Sequence, residues 1–178
     1  VINPVFPPYQ YDRKLIVTDG TTSFLDNSFP MYAEGDSHHL EFKNLGAVLK
    51  MSLLGTDYID NIVVKANVPI SGFATIVRGS DDAPLHTVMI DSISMNSVTY
   101  YLKDQLSETQ AKDCYIVIPA QTYTGGLTVT INSYLGSMTK TFSSDLVFQR
   151  SQLRAIPTFT YVNEKYHSMS LISSASNW

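Results

Sequence analysis

The chain has 178 residues, of which 44% are hydrophobic, and it carries a net charge of −4. This length suits one domain, or one domain with an extension, and the apolar content excludes a wholly disordered chain. Only 12 residues are lysine or arginine, and no basic cluster occurs, which excludes nucleic-acid binding driven by phosphate contacts. The apolar runs are too short to span a membrane as helices. The 36 serines and threonines and the 11 tyrosines favour a sheet protein with a hydroxyl-rich surface.

Residues 1–35 show no regular pattern. Prolines break any helix here and favour extended backbone; they are Pro4, Pro7, Pro8 and Pro30. Only residues 15–17 are strand-like in this stretch. We therefore predict an extended segment or linker over residues 1–35, continuing from a missing N-terminal region, and a β-sandwich domain over residues 36–178.

From residue 38 onwards, apolar residues recur at every second position, the period of a half-buried strand. The clearest run consists of Leu45, Ala47, Leu49, Met51 and Leu53, and it stops at Gly55. Similar runs follow at intervals of roughly ten residues, as in sandwiches and barrels. Residues 104–113 are the only plausible helical turn, and they are too few and too polar to carry a core.

Two later runs define the second half of the predicted sheets. Residues 115–118 have the composition of a fully buried strand, and Leu127, Val129 and Ile131 alternate with polar residues. We expect these two runs to be antiparallel neighbours. Residues 138–142 follow a turn at Leu135-Gly136 and should form a hairpin with the second run. The predicted fold class is an all-β, antiparallel, Greek-key-like sandwich with an irregular extended N-terminal segment.

No motif of an enzyme active site occurs, so we predict a protein without catalytic activity and without a cofactor. His38 and His39 point to opposite faces of a strand, so they cannot chelate one ion together, although Asp36 makes a metal site conceivable. Asp81 and Asp82 lie in a polar loop and are expected to be solvated. The single cysteine, Cys114, excludes an internal disulfide and lies in an apolar run, which predicts a buried thiol.

Tyrosines are the residues most suggestive of binding, because aromatic faces stack on sugar rings. The candidate glycan-contact residues are Tyr100, Tyr101, Tyr123 and Tyr134. An alternative interpretation places one of Tyr100 and Tyr101 in the core and the other in a cross-strand pair.

A family resemblance is carried by eight strings taken in order. They begin Pro30-Met-Tyr-Ala, Leu40-Glu-Phe-Lys-Asn-Leu-Gly, Ile62-Val-Val-Lys-Ala-Asn, Ile70-Ser-Gly, Cys114-Tyr-Ile-Val-Ile-Pro, Gly126-Leu-Thr-Val-Thr-Ile, Met138-Thr-Lys-Thr-Phe and Phe148-Gln-Arg-Ser-Gln-Leu. Their order and spacing resemble the C-terminal domain of the fimbrillin-like (type V pilin-like) surface proteins of Bacteroidetes. The resemblance covers most of the chain.

This resemblance implies an exported protein of the cell surface, outer membrane or fimbrium. Members of the family are often lipoproteins, and they serve as pilus subunits, tip adhesins or anchors. The implied function is adhesion or pilus assembly through β-strand pairing, with other pilin-like subunits or further copies of this chain as partners and a host or glycan ligand besides. The alternative function is a surface carbohydrate-binding β-sandwich module without catalytic activity. A polysaccharide-degrading domain ranks third.

The last sixteen residues extend beyond the region of resemblance. In an extended strand, His167, Met169 and Leu171 would share one face. This segment is a candidate subunit-contact strand, which would be donated to an open sheet edge of a neighbouring subunit. The simpler expectation is a final edge strand of its own sheet with a frayed end.

Overall fold

The computed structural model of the chain describes residues 3–12, 16–18, 21–23, 29–35, 38–78 and 85–163. Within these residues it contains strands and no helix. In chain order the strands are β1 (Val5–Phe6), β2 (Tyr9–Tyr11), β3 (Ile16–Thr18), β4 (Thr21–Ser23), β5 (Met31–Gly35), β6 (Leu40–Asn44), β7 (Gly46–Leu54), β8 (Tyr58–Ala66), β9 (Ser71–Val77), β10 (His86–Met95), β11 (Ser97–Gln105), β12 (Lys112–Pro119), β13 (Thr122–Tyr123), β14 (Leu127–Ser133), β15 (Ser137–Phe142), β16 (Leu146–Val147), β17 (Leu153–Ala155) and β18 (Phe159–Thr160).

Two sheets enclose the main hydrophobic core. The five-stranded sheet has the order β15-β14-β8-β11-β2, and the four-stranded sheet has the order β12-β7-β17, with β18 also paired to β7. The side chains between them are fully buried; they include Leu49, Met51, Ile59, Ile62, Val64, Val98, Ile116, Ile118, Val129 and Ile131. Each comes from a strand whose opposite face is more polar, so the period-two pattern is what places them inside. The predicted all-β sandwich is confirmed.

The strongest predicted strand is found where the alternation placed it. Strand β7 carries Ala47, Leu49, Met51 and Leu53 at zero exposure and ends before Gly55, while Leu45 precedes the strand and lies in the second core. Strand β14 pairs with β15 as the expected hairpin. The turn that precedes β14 depends on Gly126, whose φ is +77° and whose missing Cβ would overlap the carbonyl oxygen of Phe142.

Two expectations about pairing and helix content are wrong. The runs at β12 and β14 are not neighbours, because β12 pairs with β7 while β14 pairs with β8 and β15 in the opposite sheet. The segment between them carries the chain across the sandwich. The conceivable helical turn at residues 104–113 is instead the end of β11, a loop and the start of β12.

The sheets are not purely antiparallel. Strand β2 pairs with β11 in parallel, and β17 and β18 both pair with β7 in parallel. These strands have only two or three residues each, and they extend the sheets at their edges. Alternation within a strand carries no information on pairing direction, so the sequence could not predict this feature.

A third sheet of order β1-β9-β10 covers a second, smaller core. This core contains Phe6, Leu45, Ala74, Met89 and Val117, all buried. Strand β1 pairs with β9 in this third sheet, and β2 pairs with β11 in the five-stranded sheet. Residues 3–12 therefore pair with strands of the region predicted as the sandwich domain. The predicted boundary after residue 35 also falls inside the β5–β6 hairpin.

In the part of the chain that the structure describes, no helix is long and apolar enough to cross a membrane.

Candidate functional site

The outward face of the five-stranded sheet, called here the outer face, is the most distinctive surface of the molecule. On β14 and β15 every outward position is a hydroxyl or amide residue: Thr128, Thr130, Asn132, Ser137, Thr139 and Thr141. The hydroxyl oxygens of Thr130 and Thr139 lie 3.2 Å apart across the two strands. The face therefore presents hydrogen-bonding groups without a large apolar surface.

Three tyrosines stack at one edge of the outer face. The parallel register aligns Tyr9 with Thr99 and Tyr11 with Tyr101, which places all three rings on the same side. The Tyr101 ring centroid lies 5.2 Å from that of Tyr11 and 6.4 Å from that of Tyr9. Tyr9 and Tyr11 remain 58% and 56% exposed, so aromatic surface stays available to a ligand.

A second aromatic pair lies near the end of the same face where β8 begins. The rings of Tyr58 and Tyr134 stack with centroids 5.6 Å apart. Tyr58 faces outward because its neighbour Ile59 points into the core, and Tyr134 lies in the β14–β15 turn at 80% exposure. Tyr58 and Asn61 are three residues apart on β8, or roughly 10 Å at the rise of a strand.

A polar network lies between the two aromatic groups and contacts the Tyr101 ring of the first. Asn132 donates through Nδ2 to Oδ1 of Asn61 at 2.8 Å, and Asn61 donates to Oδ2 of Asp60 at 2.7 Å. The Lys103 ammonium lies 3.9 Å from Asp60 and 5.8 Å from the Tyr101 ring centroid. The network thus reaches from the β14 strand to the ring of Tyr101.

A β-bulge gives Lys103 its position. The register between β11 and β8 shifts after Tyr101, and Lys103 has a φ of +48°, which is uncommon for a residue with a side chain. The extra residue leaves Tyr101 and Lys103 close together. It also turns Asp104 towards Lys112, 2.7 Å away.

Two of the four predicted glycan-contact tyrosines do not reach this surface. Tyr100 is 3% exposed and donates to Oδ1 of Asp12 at 2.7 Å, while Tyr123 is fully buried and donates to the Pro119 carbonyl at 2.8 Å. Burial raises the pKa of both hydroxyls well above the ordinary value. A glycan cannot stack on either ring, so of the predicted set Tyr101 and Tyr134 remain.

Sequence reasoning missed Tyr9, Tyr11 and Tyr58. A signal for the first two exists, because tyrosines at i and i+2 in Tyr9-Gln-Tyr11 share one face of an extended segment. The nearby prolines led us to predict no regular strand there, so this pattern was not used. Nothing in the sequence indicates that Tyr58 and Tyr134 meet.

The second candidate surface is the edge strand β15. Among the described residues, no strand pairs with the edge of β15 that faces away from β14. Met138 and Phe142 lie on its inward face and pack at the margin of the main core. A further strand along this edge would place every second side chain beside them.

The end of the described chain lies beside this edge. The Val162 amide is 3.4 Å from the Met138 sulfur, and Tyr161 donates to the Gly136 carbonyl at 3.1 Å. The predicted contact residues His167, Met169 and Leu171 are outside the described residues. The described chain thus ends next to the first residues of β15.

Residues 3–12 illustrate how these sheets accept an extended segment. The Thr99 amide donates to the Pro8 carbonyl and the Asp12 amide to the Tyr101 carbonyl, both at 2.8 Å. Gln10 is 4% exposed and bonds the edge of β12, donating to the Val117 carbonyl at 2.7 Å and accepting from the Val117 amide at 2.9 Å. The Gln10 side-chain amide thus makes the two hydrogen bonds to Val117 that the backbone of a neighbouring strand would make.

The remaining candidates show no site. Within the described residues, no group of three or more His, Cys, Asp and Glu side chains could hold a metal ion. His38 and His39 are both exposed, and Asp36, Asp81 and Asp82 lie outside the described residues. Cys114 is buried as predicted, and burial together with the Asp12 carboxylate raises its thiol pKa to about 12.

Neither the family models nor the curated proteins compared with this chain give a match.

Proposed function

We propose that this protein is a non-catalytic surface protein that acts in adhesion or pilus assembly by pairing β-strands between subunits. It would be exported and would lie at the cell surface, the outer membrane or a fimbrium. The resemblance to fimbrillin-like proteins supports this class. The observation that carries the mechanism is the edge of β15, which lies beside the point where the described chain ends.

The proposed contact is strand addition at this edge. An added strand gains main-chain hydrogen bonds along β15, and its alternate side chains fix the register against Met138 and Phe142. Residues 164–178 are long enough to run along the six residues of β15. Their proposed inward residues are His167, Met169 and Leu171, which would pack at the margin of a neighbour's core.

Deleting residues 168–178 tests this proposal. The truncated chain should keep its melting temperature and remain monomeric, whereas the full chain should form larger species as its concentration rises. Size-exclusion chromatography with light scattering measures the species, and electron microscopy reveals any fibres.

A shorter deletion, of residues 173–178, is the matched control and should assemble like the full chain. A large loss of melting temperature in the longer deletion would mean that the segment completes its own sheet. A full chain that stays monomeric at every concentration would likewise overturn the proposal.

The alternative is a surface carbohydrate-binding module without catalytic activity. It is favoured by one observation, the two exposed aromatic groups on one hydroxyl-rich sheet face. Glycan binding and subunit pairing use different surfaces, so one molecule is able to perform both. A glycan array with the monomeric protein tests this function separately.

A further inference from the structure

We propose that the outer face binds an uncharged, extended glycan chain through its interior sugar units, running from Tyr11 and Tyr101 across Asn61 to Tyr58 and Tyr134. This inference rests on the carbohydrate-binding alternative above and names its ligand class and residues. It does not depend on subunit assembly.

The charges between the aromatic groups argue for an uncharged ligand. Lys103 and Asp60 lie 3.9 Å apart and largely offset each other, and the other members of the network are the amides of Asn61 and Asn132. Lys65 is the remaining outward charge on β8, and it lies beyond Val63, away from Tyr58. The cation between the two aromatic groups, Lys103, is therefore already paired with Asp60, and an anionic glycan would gain little attraction there.

The chemistry of the face suits a sugar chain. Exposed aromatic rings stack on the C–H faces of pyranose rings, while amide and hydroxyl groups exchange hydrogen bonds with sugar hydroxyls. The Asn132–Asn61–Asp60 series is already oriented by its own hydrogen bonds, which lowers the ordering cost of binding.

The spacing and the openness of the face argue for a chain rather than a single sugar. Tyr101 aligns with Asn61, and Asn61 lies roughly 10 Å along β8 from Tyr58, so one pyranose ring cannot contact both aromatic groups. Tyr11 and Tyr134 are 56% and 80% exposed. Because these end platforms are open to solvent, a long chain can continue past both ends.

Affinity electrophoresis of the full chain in native gels tests the proposal. The neutral probes are xyloglucan, galactomannan and mixed-linkage β-glucan, and the anionic probes are polygalacturonate and heparin. At least one neutral polysaccharide should retard the protein, and the anionic ones should not. Calorimetry should detect binding of a hexasaccharide of the retarding polysaccharide and no binding of its monosaccharide.

Two single variants locate the site. Tyr11→Ala and Tyr134→Ala should each weaken binding by about tenfold or more, the usual consequence of removing an aromatic contact that carries binding energy. Tyr11→Phe should bind nearly as well as the unaltered chain, since stacking needs no hydroxyl. Phe73→Ala is the control, because Phe73 is 42% exposed on the separate β1-β9-β10 sheet.

The outcomes test separately whether the outer face binds a glycan and whether that glycan is uncharged and extended. Absence of retardation by every probe would overturn glycan binding altogether. Retardation by anionic probes alone, abolished in the tyrosine variants, would keep the site and overturn the uncharged class. Retardation that persists in both alanine variants would place any glycan site elsewhere. Equal binding of the monosaccharide would overturn the requirement for an extended chain.

Discussion

At the scale of single residues, the two faces of each central strand have opposite roles. Val129 is fully buried against the four-stranded sheet, while its neighbours Thr128 and Thr130 are half-buried on the outer face. Burial of the Val129 side chain stabilises the fold, whereas the hydroxyls of Thr128 and Thr130 remain hydrated on the outer face. Mutations on the two faces should therefore differ in cost.

We expect Leu49→Ala and Val129→Ala each to reduce the free energy of unfolding by roughly 2–4 kcal/mol, because each removes methyl groups from a closed core. Thr128→Ala and Thr130→Ala should cost much less, since water replaces their hydrogen bonds. Urea denaturation of the four variants measures the difference. Threonine variants that prove more damaging would show that the assignment of faces is wrong for β14.

The thiol of Cys114 should be inert in the folded protein. Its pKa is raised to about 12 by burial and by the nearby Asp12 carboxylate, so almost no thiolate is present at neutral pH. We expect iodoacetamide to modify the native protein far more slowly than the urea-unfolded protein at pH 8. Mass spectrometry of timed samples measures both rates, and equal rates would contradict the described burial.

At the scale of elements, the sequence predicts strands better than it predicts their partners. The alternation from Ala47 to Leu53 places β7 and its inward residues correctly, because side-chain direction in a strand depends only on the local period. Pairing depends on contacts distant in sequence. That is why β12 was expected beside β14, and why the parallel docking of β2 on β11 was not foreseen.

In the candidate site, too, local features could be predicted from the sequence and contacts between strands could not. The sequence singled out Tyr101 and Tyr134 by residue type, and both lie on the outer face. The alternation of Val98, Tyr100 and Leu102 already indicates an inward ring for Tyr100, which is 3% exposed, so the choice of Tyr100 as a contact residue by type alone was wrong. The meeting of Tyr58 with Tyr134 joins two strands and is a tertiary property.

The docking of β2 depends on an ion cluster as well as on Gln10. Lys112 on β12 lies 2.8 Å from Asp12 and 2.7 Å from Asp104, and its side chain is 29% exposed. We expect Lys112→Ala to cost about 1–2 kcal/mol of unfolding free energy, between the values for exposed and fully buried pairs. Lys103→Ala, in which a 62% exposed side chain is removed, should cost less.

The pH dependence gives a further test of this cluster. Burial lowers the pKa of Lys112, but its hydrogen bonds with Asp104 and Asp12 raise it more, so the net pKa is above the ordinary value. A raised lysine pKa stabilises the fold fully below the unfolded value of about 10.4, and this contribution is lost as the pH rises through the folded value. The stability difference between the unaltered chain and Lys112→Ala should stay constant from pH 7 to 9 and shrink above about pH 10.4.

At the scale of the whole molecule, stability is concentrated in the layers around the main core. Strands β7, β8 and β14 each pair with another strand on both sides, and their inward residues form the main core together with those of β12. Among the described strands, β5 and β6 pair only with each other. Its exposed residues Met31, Leu40 and Phe42 are 58%, 56% and 64% accessible. Tyr32 of the hairpin packs against the second core and accepts a hydrogen bond from Nε of Arg78 at 3.0 Å. A two-stranded hairpin is only marginally stable by itself in water, so this part of the molecule should open first.

Hydrogen–deuterium exchange of the full chain should reveal this gradient. We expect amides of β7, β8 and β14 to exchange only through global unfolding, and those of β5 and β6 to exchange through local opening orders of magnitude faster. The measurement is made at two protein concentrations, because an apolar hairpin surface is also a surface that association would cover. Fast, concentration-independent exchange in the hairpin supports the gradient. Protection of β5 and β6 equal to that of β7 in the dilute sample would show that the hairpin is held by contacts within its own molecule, and the proposed order of opening would then be wrong.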